Sequence, residues 1–480
     1  MPKLQFPQGF LWGSAVWALG VEGGATEDGR TPTVLDKYAE QHPEKMYNGM
    51  GPEKALDWRH DYERFAQIAA DLHHSSFRTS IQWSRLMPDG EHVSESAVEF
   101  YRNEFAAFKG RGIELSIVLY WFDMPLAMED RGGFTKRDIE DDFVRYCDTC
   151  FKLFSDLVDV WYVYNEPTCD VLMKYAWGTC YPERLSWSDV CHATYNMVVA
   201  HARVVEAFRA GGYPGKIGTV MSHGHVYPRS DSEQDVAAAL EDSALIHRCY
   251  EDPLLAGHLS PEWLDIVERS GVTLDRREGD NELIATNTVS LLGMNIYMPE
   301  RVQYDETGSS IEEWLGGVIG ANGDRDGGAG NLTGFRLHSR AYEDPNAKMN
   351  KDRGWEIYPQ VVYDSLMDIE RRYPGTETRI TENGMGVQDE GRFRDAFGVI
   401  QDDYRIEYLR DHIAWAHRAI EDGAHLTCYN MWSFVDLWSP SNQFKNCYGL
   451  IEYDLETGET RRKKSADWFQ ALTDANALDV

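Results

Sequence analysis

Nowhere does this chain carry a run of apolar residues approaching the roughly 18 that a membrane-spanning helix requires, which argues against a helical membrane protein. Its first residues, Met1-Pro2-Lys3-Leu4-Gln5-Phe6-Pro7, lack the charged and then apolar pattern of a secretion signal, so a cytoplasmic location is expected. Basic charge is scarce: 47 Lys and Arg stand against 79 Asp and Glu, a formal net charge of −32. Such a surface repels nucleic acid and anionic membranes, although a local cationic pocket can still hold an anionic small molecule, because salt screens a diffuse field. The eight cysteines lack the density or spacing of a disulfide framework. Cys147 and Cys150 form a CxxC, yet Phe143, Cys147, Cys150, Phe154 and Leu157 recur at helical spacing, which reads as core packing. Cys191-His192 has no second ligand pair at metal spacing, so no metal is expected. Nothing resembles a linker or an internal repeat, and residues 1–480 read as one catalytic domain.

Aromatics, by contrast, are abundant, with 15 Trp and 25 Tyr. On a surface they suit either a homo-oligomer or the coat of a large monomer. Short β-rich runs alternate with amphipathic helices from one end to the other. The strands expected are Phe10 to Val16, Ser76 to Ile81, Ile113 to Tyr120, Val158 to Asn165, Lys216 to Ser222, Val289 to Ile296, Glu377 to Glu382 and His425 to Trp432. Between the first two, Trp58, Tyr62, Phe65, Ala69 and Leu72 share one helical face. Eight strands separated by helical crossovers predict an α/β fold, a single (β/α)8 TIM barrel. Thr307 to Gly334, rich in glycine, follows the sixth strand and is expected to form a long loop on the active face.

Two of the strands end in glutamates. Trp161-Tyr162-Val163-Tyr164-Asn165-Glu166-Pro167 and Thr378-Arg379-Ile380-Thr381-Glu382-Asn383-Gly384 each place a Glu beside an Asn amide and a chain-turning Pro or Gly. In a barrel of this kind the functional groups project from the carboxyl ends of strands, which sets Glu166 and Glu382 across the mouth from each other. A protonated and an ionised carboxyl group together can break a glycosidic bond, with retention of configuration if they lie about 5 to 5.5 Å apart.

The whole chain resembles glycoside hydrolase family 1, the β-glucosidase and 6-phospho-β-glucosidase family. The resemblance is carried by Phe6-Pro7-Gln8-Gly9-Phe10-Leu11-Trp12-Gly13, Phe77-Arg78-Thr79-Ser80, Asn165-Glu166-Pro167, Leu292-Gly293-Met294-Asn295-Ile296-Tyr297, Gly354-Trp355-Glu356-Ile357-Tyr358-Pro359, Thr381-Glu382-Asn383-Gly384 and Met431-Trp432-Ser433. It implies Glu166 as acid/base and Glu382 as nucleophile, with no metal or cofactor. Arg78 would keep Glu382 ionised, Tyr297 would orient it, and Asn165 would donate to the sugar 2-hydroxyl. Trp432 and Asn295 are implied in binding the sugar and Trp355 in forming the aglycone platform.

The glycone pocket departs from the family. Gly20 stands where relatives carry a Gln, and Trp121 where they carry a His, the pair that binds the 3- and 4-hydroxyls. The two changes are expected to compensate in volume, glycine vacating space that tryptophan fills. The lost contacts are explained by an altered glycone, by replacement contacts from Trp17 or Trp432, or by weak turnover. After the eighth strand Ser439 replaces a Glu, removing a charge that would repel phosphate, and Lys445 and Tyr448 are expected to supply a cation and a hydroxyl. This set resembles the phospho-glycosidase branch, although many of those enzymes carry the Lys one residue later, at Asn446. The reading is therefore a retaining β-glycosidase for a small-molecule carbohydrate, a 6-phospho-β-glucoside first. A non-phosphorylated or C3/C4-modified glycone is the alternative, and a sugar-sensing barrel with little turnover is a third.

Overall fold

The computed structural model describes residues 3–310 and 336–479. Eight parallel strands close into a barrel: β1 (Leu11–Ala15), β2 (Ser76–Ser80), β3 (Glu114–Tyr120), β4 (Val160–Asn165), β5 (Lys216–Ser222), β6 (Leu291–Asn295), β7 (Glu377–Glu382) and β8 (Leu426–Trp432). They follow one another around the barrel in chain order, and β8 pairs with β1 to close it, Cys428 opposite Leu11 and Trp432 opposite Ala15. Each lies within two residues of the strand expected from sequence.

The strands read as apolar runs because both of their faces are covered. All six residues of β4, Val-Trp-Tyr-Val-Tyr-Asn, are buried. Helices α1 (Trp58–Asp71), α2 (Glu95–Lys109), α3 (Ile139–Phe154) and α4 (Trp187–Gly211) fill the first four crossovers from the outside. On α1, Trp58, Phe65, Ala66 and Ala69 face the barrel, and the Trp58 and Phe65 rings stack with centroids 4.3 Å apart. Phe77 of β2 continues that stack to Phe108 of α2 at 4.3 Å. Cys147 and Cys150 lie on the buried face of α3 among Phe143, Phe151 and Phe154, and burial pushes both thiols up, away from the thiolate that redox or metal chemistry needs.

One expectation requires correction. Residues Thr307 to Ser310 are not loop: they complete the strand Glu300–Ser310, which pairs antiparallel with Arg336–Ala341. The rest of the expected glycine-rich loop, residues 311–334, lies outside the described residues. Among the described residues no helix is long and apolar enough to cross a membrane.

Candidate active site

At the end of β4 the chain leaves Asn165 and turns through Glu166 at φ 48° and ψ 59°, a left-handed conformation that costs a residue with a Cβ about 1 kcal/mol or more. Pro167 then starts the helix Pro167–Tyr175, and the Glu166 N–H is tied to the Val220 carbonyl of β5 at 2.8 Å. The turn aims the carboxyl group over the barrel mouth instead of along the strand. At the end of β7, Asn383 donates its amide to the Ile296 carbonyl at 2.7 Å. Gly384 follows with its Cα against the Trp432 carbonyl, where a Cβ would stand 1.8 Å from that oxygen, so only glycine lets β7 and β8 approach closely enough to present Glu382 and Trp432 side by side.

Polar contacts join six of the expected residues. Arg78, fully buried, donates from Nη1 to Glu382 Oε1 at 2.7 Å and from Nη2 to Asn165 Oδ1. Tyr297 Oη donates to Glu382 Oε2 at 2.7 Å. Asn295 Nδ2 lies 2.8 Å from Glu166 Oε1 and 3.1 Å from Asn165 Oδ1, while Thr381 Oγ1 donates to Asn295 Oδ1 at 2.7 Å and fixes that amide's orientation. Since Asn165 accepts through its oxygen from two donors, its Nδ2 points elsewhere; it is buried and has no hydrogen-bond partner among the described residues.

The two carboxyl groups therefore differ in surroundings. Burial, and then repulsion from Glu382, push Glu166 up to about 8, while its own contacts, the Asn295 amide and the Cys169 thiol, carry no charge. Burial also lifts Glu382 above its ordinary value, opposed by the Arg78 guanidinium, its hydrogen bond, and the Tyr297 hydroxyl. The surroundings favour opposite forms: burial and the neighbouring carboxylate favour the protonated form of Glu166, whereas the Arg78 guanidinium and the Tyr297 hydroxyl favour the ionised form of Glu382.

Above them opens a cavity of about 580 Å³. Trp432, Trp355, Trp121, Ser439 and Tyr448 line it, and so does Trp17. Trp121 stacks on Arg78, whose Cζ lies 4.2 Å from the ring centroid, and its ring lies 5.7 Å from that of Trp432. Trp17 spends its indole N–H on the Trp121 carbonyl at 3.0 Å, so it is not the donor that replaces the missing Gln. The indole N–H groups of Trp121 and Trp432 have no hydrogen-bond partner among the described residues.

Two expected residues stand elsewhere. Gly20 does not line the cavity: a Cβ there would lie 2.4 Å from the Trp438 carbonyl and 3.3 Å from the Trp17 ring. Its missing side chain makes room for Trp438 backbone and for Trp17, not for Trp121 as volume compensation suggested. Lys445 is exposed and outside the lining, because the turn Asn442–Lys445 carries its backbone N–H to the Asn442 carbonyl at 2.8 Å and leaves the side chain facing solvent. Asn446, next along, is buried and donates to the Asp352 carbonyl at 3.2 Å. A residue passed over in the sequence lines the wall instead: Arg353, two positions before Trp355, with Cζ 4.1 Å from that ring's centroid.

Among the described residues one group of potential metal ligands gathers, Glu390, Asp436 and Cys447. It is already neutralised: Lys463 bonds both carboxylates, with Asp436 Oδ1 at 2.8 Å, and Arg405 bonds Glu390. His192, beside Cys191, points to the Ser188 and Thr273 carbonyls at 2.7 and 3.1 Å.

A closed eight-stranded barrel with a carboxyl pair of split character at the carboxyl ends of two strands defines a hydrolase of the barrel glycosidase class. The chain belongs to glycosyl hydrolase family 1, whose family model matches residues 2–478. It is 36% identical over 477 residues to the 6-phospho-beta-glucosidase GmuD of Bacillus subtilis (strain 168), covering 98% of each chain. It is 30% identical over 480 residues to Beta-glucosidase A of Acetivibrio thermocellus, covering 100% of each. In structure it is similar to the family 1 b-glucosidase from Thermotoga maritima, with a TM-score of 0.88 at 26% identity and 100% of each chain covered. The protein is accordingly a glycoside hydrolase with β-glucosidase and 6-phospho-β-glucosidase homologues.

Proposed function

We propose that this glycoside hydrolase is a retaining β-glycosidase acting on 6-phospho-β-glucosides, with Glu166 as acid and then base and Glu382 as nucleophile. The observation that carries the assignment is the asymmetry of the pair: Glu382 receives a guanidinium N–H and a phenolic O–H, whereas among the described residues no charged donor touches Glu166. In the first step Glu166 transfers its proton to the glycosidic oxygen as the C1–O bond breaks, and a Glu382 oxygen bonds to C1 from the opposite face. In the second, the Glu166 carboxylate takes a proton from water, the water oxygen attacks C1 and the Glu382–C1 bond breaks. Two inversions return the original configuration. The unpartnered Nδ2 of Asn165 is placed to donate to the sugar 2-hydroxyl, a bond that strengthens as charge develops at C1.

The phosphate preference is supported by Ser439, whose buried Oγ has no hydrogen-bond partner among the described residues, by the Tyr448 hydroxyl, and by similarity to a relative named as a 6-phospho-beta-glucosidase. A second reading, a non-phosphorylated glycone, is favoured by the exposure of Lys445 and by similarity to a relative named Beta-glucosidase A. Hydrolysis of one aryl β-glucoside with and without a 6-phosphate, with Glu382→Gln as control, decides between them. A higher kcat/KM for the phosphorylated compound is expected, and a higher value for the free sugar refutes the phosphate reading. Proton NMR of the first-formed product should show the β-anomer.

A further inference from the structure

We infer that Arg353 supplies the cation that recognises the phosphate ester in this enzyme, the role the β8 loop sequence suggested for Lys445. The inference rests on the phosphorylated-glycone reading above and assigns a residue to it.

Arg353 belongs to a short hairpin in which Met349–Asn350 pairs antiparallel with Trp355–Glu356. The turn is closed by the Gly354 N–H to the Asn350 carbonyl at 2.7 Å, with Gly354 at φ +77°. The hairpin is clamped to both neighbouring loops. Asn350 Nδ2 donates to the Gly386 carbonyl at 2.9 Å, Gln388 and Asn446 donate to the Asp352 carbonyl at 2.6 and 3.2 Å, and Arg392 pairs with the Asp352 carboxylate at 2.8 Å. Asn446 is thus occupied in holding the residue beside Arg353.

The guanidinium is aimed rather than loose. Nε donates to Tyr448 Oη at 3.2 Å, Nη2 to Ser441 Oγ at 3.1 Å, and its plane is supported by the Trp355 ring. Those bonds use two of its five N–H groups, leaving three for a ligand. Among the described residues no carboxylate pairs with Arg353, whereas Arg392, on the other side of Asp352, is paired. A half-buried, unpaired guanidinium flanked by two hydroxyls in a catalytic cavity, inside a chain of net charge −32, has an anion as its natural complement. Its planar fork suits the tetrahedral oxygens of a phosphate, which Lys445, exposed and outside the cavity, cannot reach from its present position.

The test compares kcat/KM for an aryl β-glucoside 6-phosphate and the plain aryl β-glucoside in the wild type, Arg353→Met, Arg353→Lys and Lys445→Met, with inhibition by glucose 6-phosphate and by glucose alongside. Methionine keeps a flexible stem against Trp355 while removing the charge. The expected result for Arg353→Met is a fall of about 10- to 100-fold in the ratio, mainly through KM for the phosphorylated compound, with a matching loss of glucose 6-phosphate inhibition. Arg353→Lys should be intermediate, and also serves if the methionine variant does not fold. Lys445→Met should leave the ratio unchanged. An unchanged ratio in Arg353→Met, with a fall in Lys445→Met, overturns the inference and leaves the phosphate reading standing. Equal losses on both substrates reduce Arg353 to a support for Trp355 and also overturn it. A wild type indifferent to phosphate overturns the inference and the phosphate reading together.

Discussion

Arg78 and Glu382, separated by 304 residues in the chain, meet across the barrel mouth in a bond of 2.7 Å between a fully buried guanidinium and the carboxylate that ends β7. The same guanidinium is sandwiched between that carboxylate, the Asn165 oxygen and the Trp121 ring, so it locks the proposed nucleophile, the Asn165 amide and one wall of the cavity into one unit.

Removing it should therefore act on charge as well as geometry. Arg78 lowers the proton affinity of Glu382 against the effect of burial, so Arg78→Met should shift the acid limb of kcat/KM to higher pH and cut kcat about 100-fold or more. An acid limb that stays in place shows that Glu382 is not the group titrating there.

Tyr297→Phe removes one hydroxyl from Glu382 Oε2 without touching its charge partner. The expected loss in kcat/KM is roughly 10- to 100-fold, the range of one lost buried hydrogen bond to a charged acceptor, with the acid limb shifted the same way as in Arg78→Met but less. Steady-state rates across pH measure both.

Glu166, pushed up to about 8, sets the alkaline side: activity should fall above about pH 8 as the acid loses its proton. The same shift has a stability consequence. A carboxyl group whose folded value lies above its unfolded one binds more protons in the native state, so its contribution declines as pH rises from about 4.3 towards 8. Glu166→Gln should thus match the wild type in stability near pH 4 and exceed it near pH 8 by about 1 to 3 kcal/mol, less than the full shift implies because water enters the cavity. Thermal unfolding of the two proteins at pH 4, 6 and 8 checks the trend, and a constant difference across pH contradicts it.

Gly20 gives a prediction of the opposite kind, about packing. Gly20→Ala puts a methyl group 2.4 Å from the Trp438 carbonyl and should cost about 1 to 3 kcal/mol, lowering the melting temperature. Gly20→Gln alone should not restore the family's sugar contact, since Trp17 fills the space beside it; a restored contact, seen as a lower KM at unchanged stability, contradicts this account.

The barrel strands were legible because their apolar runs are bounded by turns and covered on both faces, and the two glutamates because each ends such a run beside an Asn. Sequence order around the ring then gave their placement on one rim. Arg353 and Lys445 were not legible in the same way. Each is one cation in a polar loop, and only the packing of the hairpin against Gly386, Gln388 and Asn446 turns the first inward while the turn at Asn442 sends the second out.

What the sequence by itself determined is the order of strands and helices, the residues at the strand ends and hence the chemistry available, because periodicity and motif are local properties of a chain. Which carboxyl group keeps its proton, how Trp17 and Trp438 use the space at Gly20, and which cation faces the cavity were decided only by the tertiary structure. Burial, hydrogen-bond partners and close approach are relations between residues hundreds of positions apart, and they exist only once the barrel has closed.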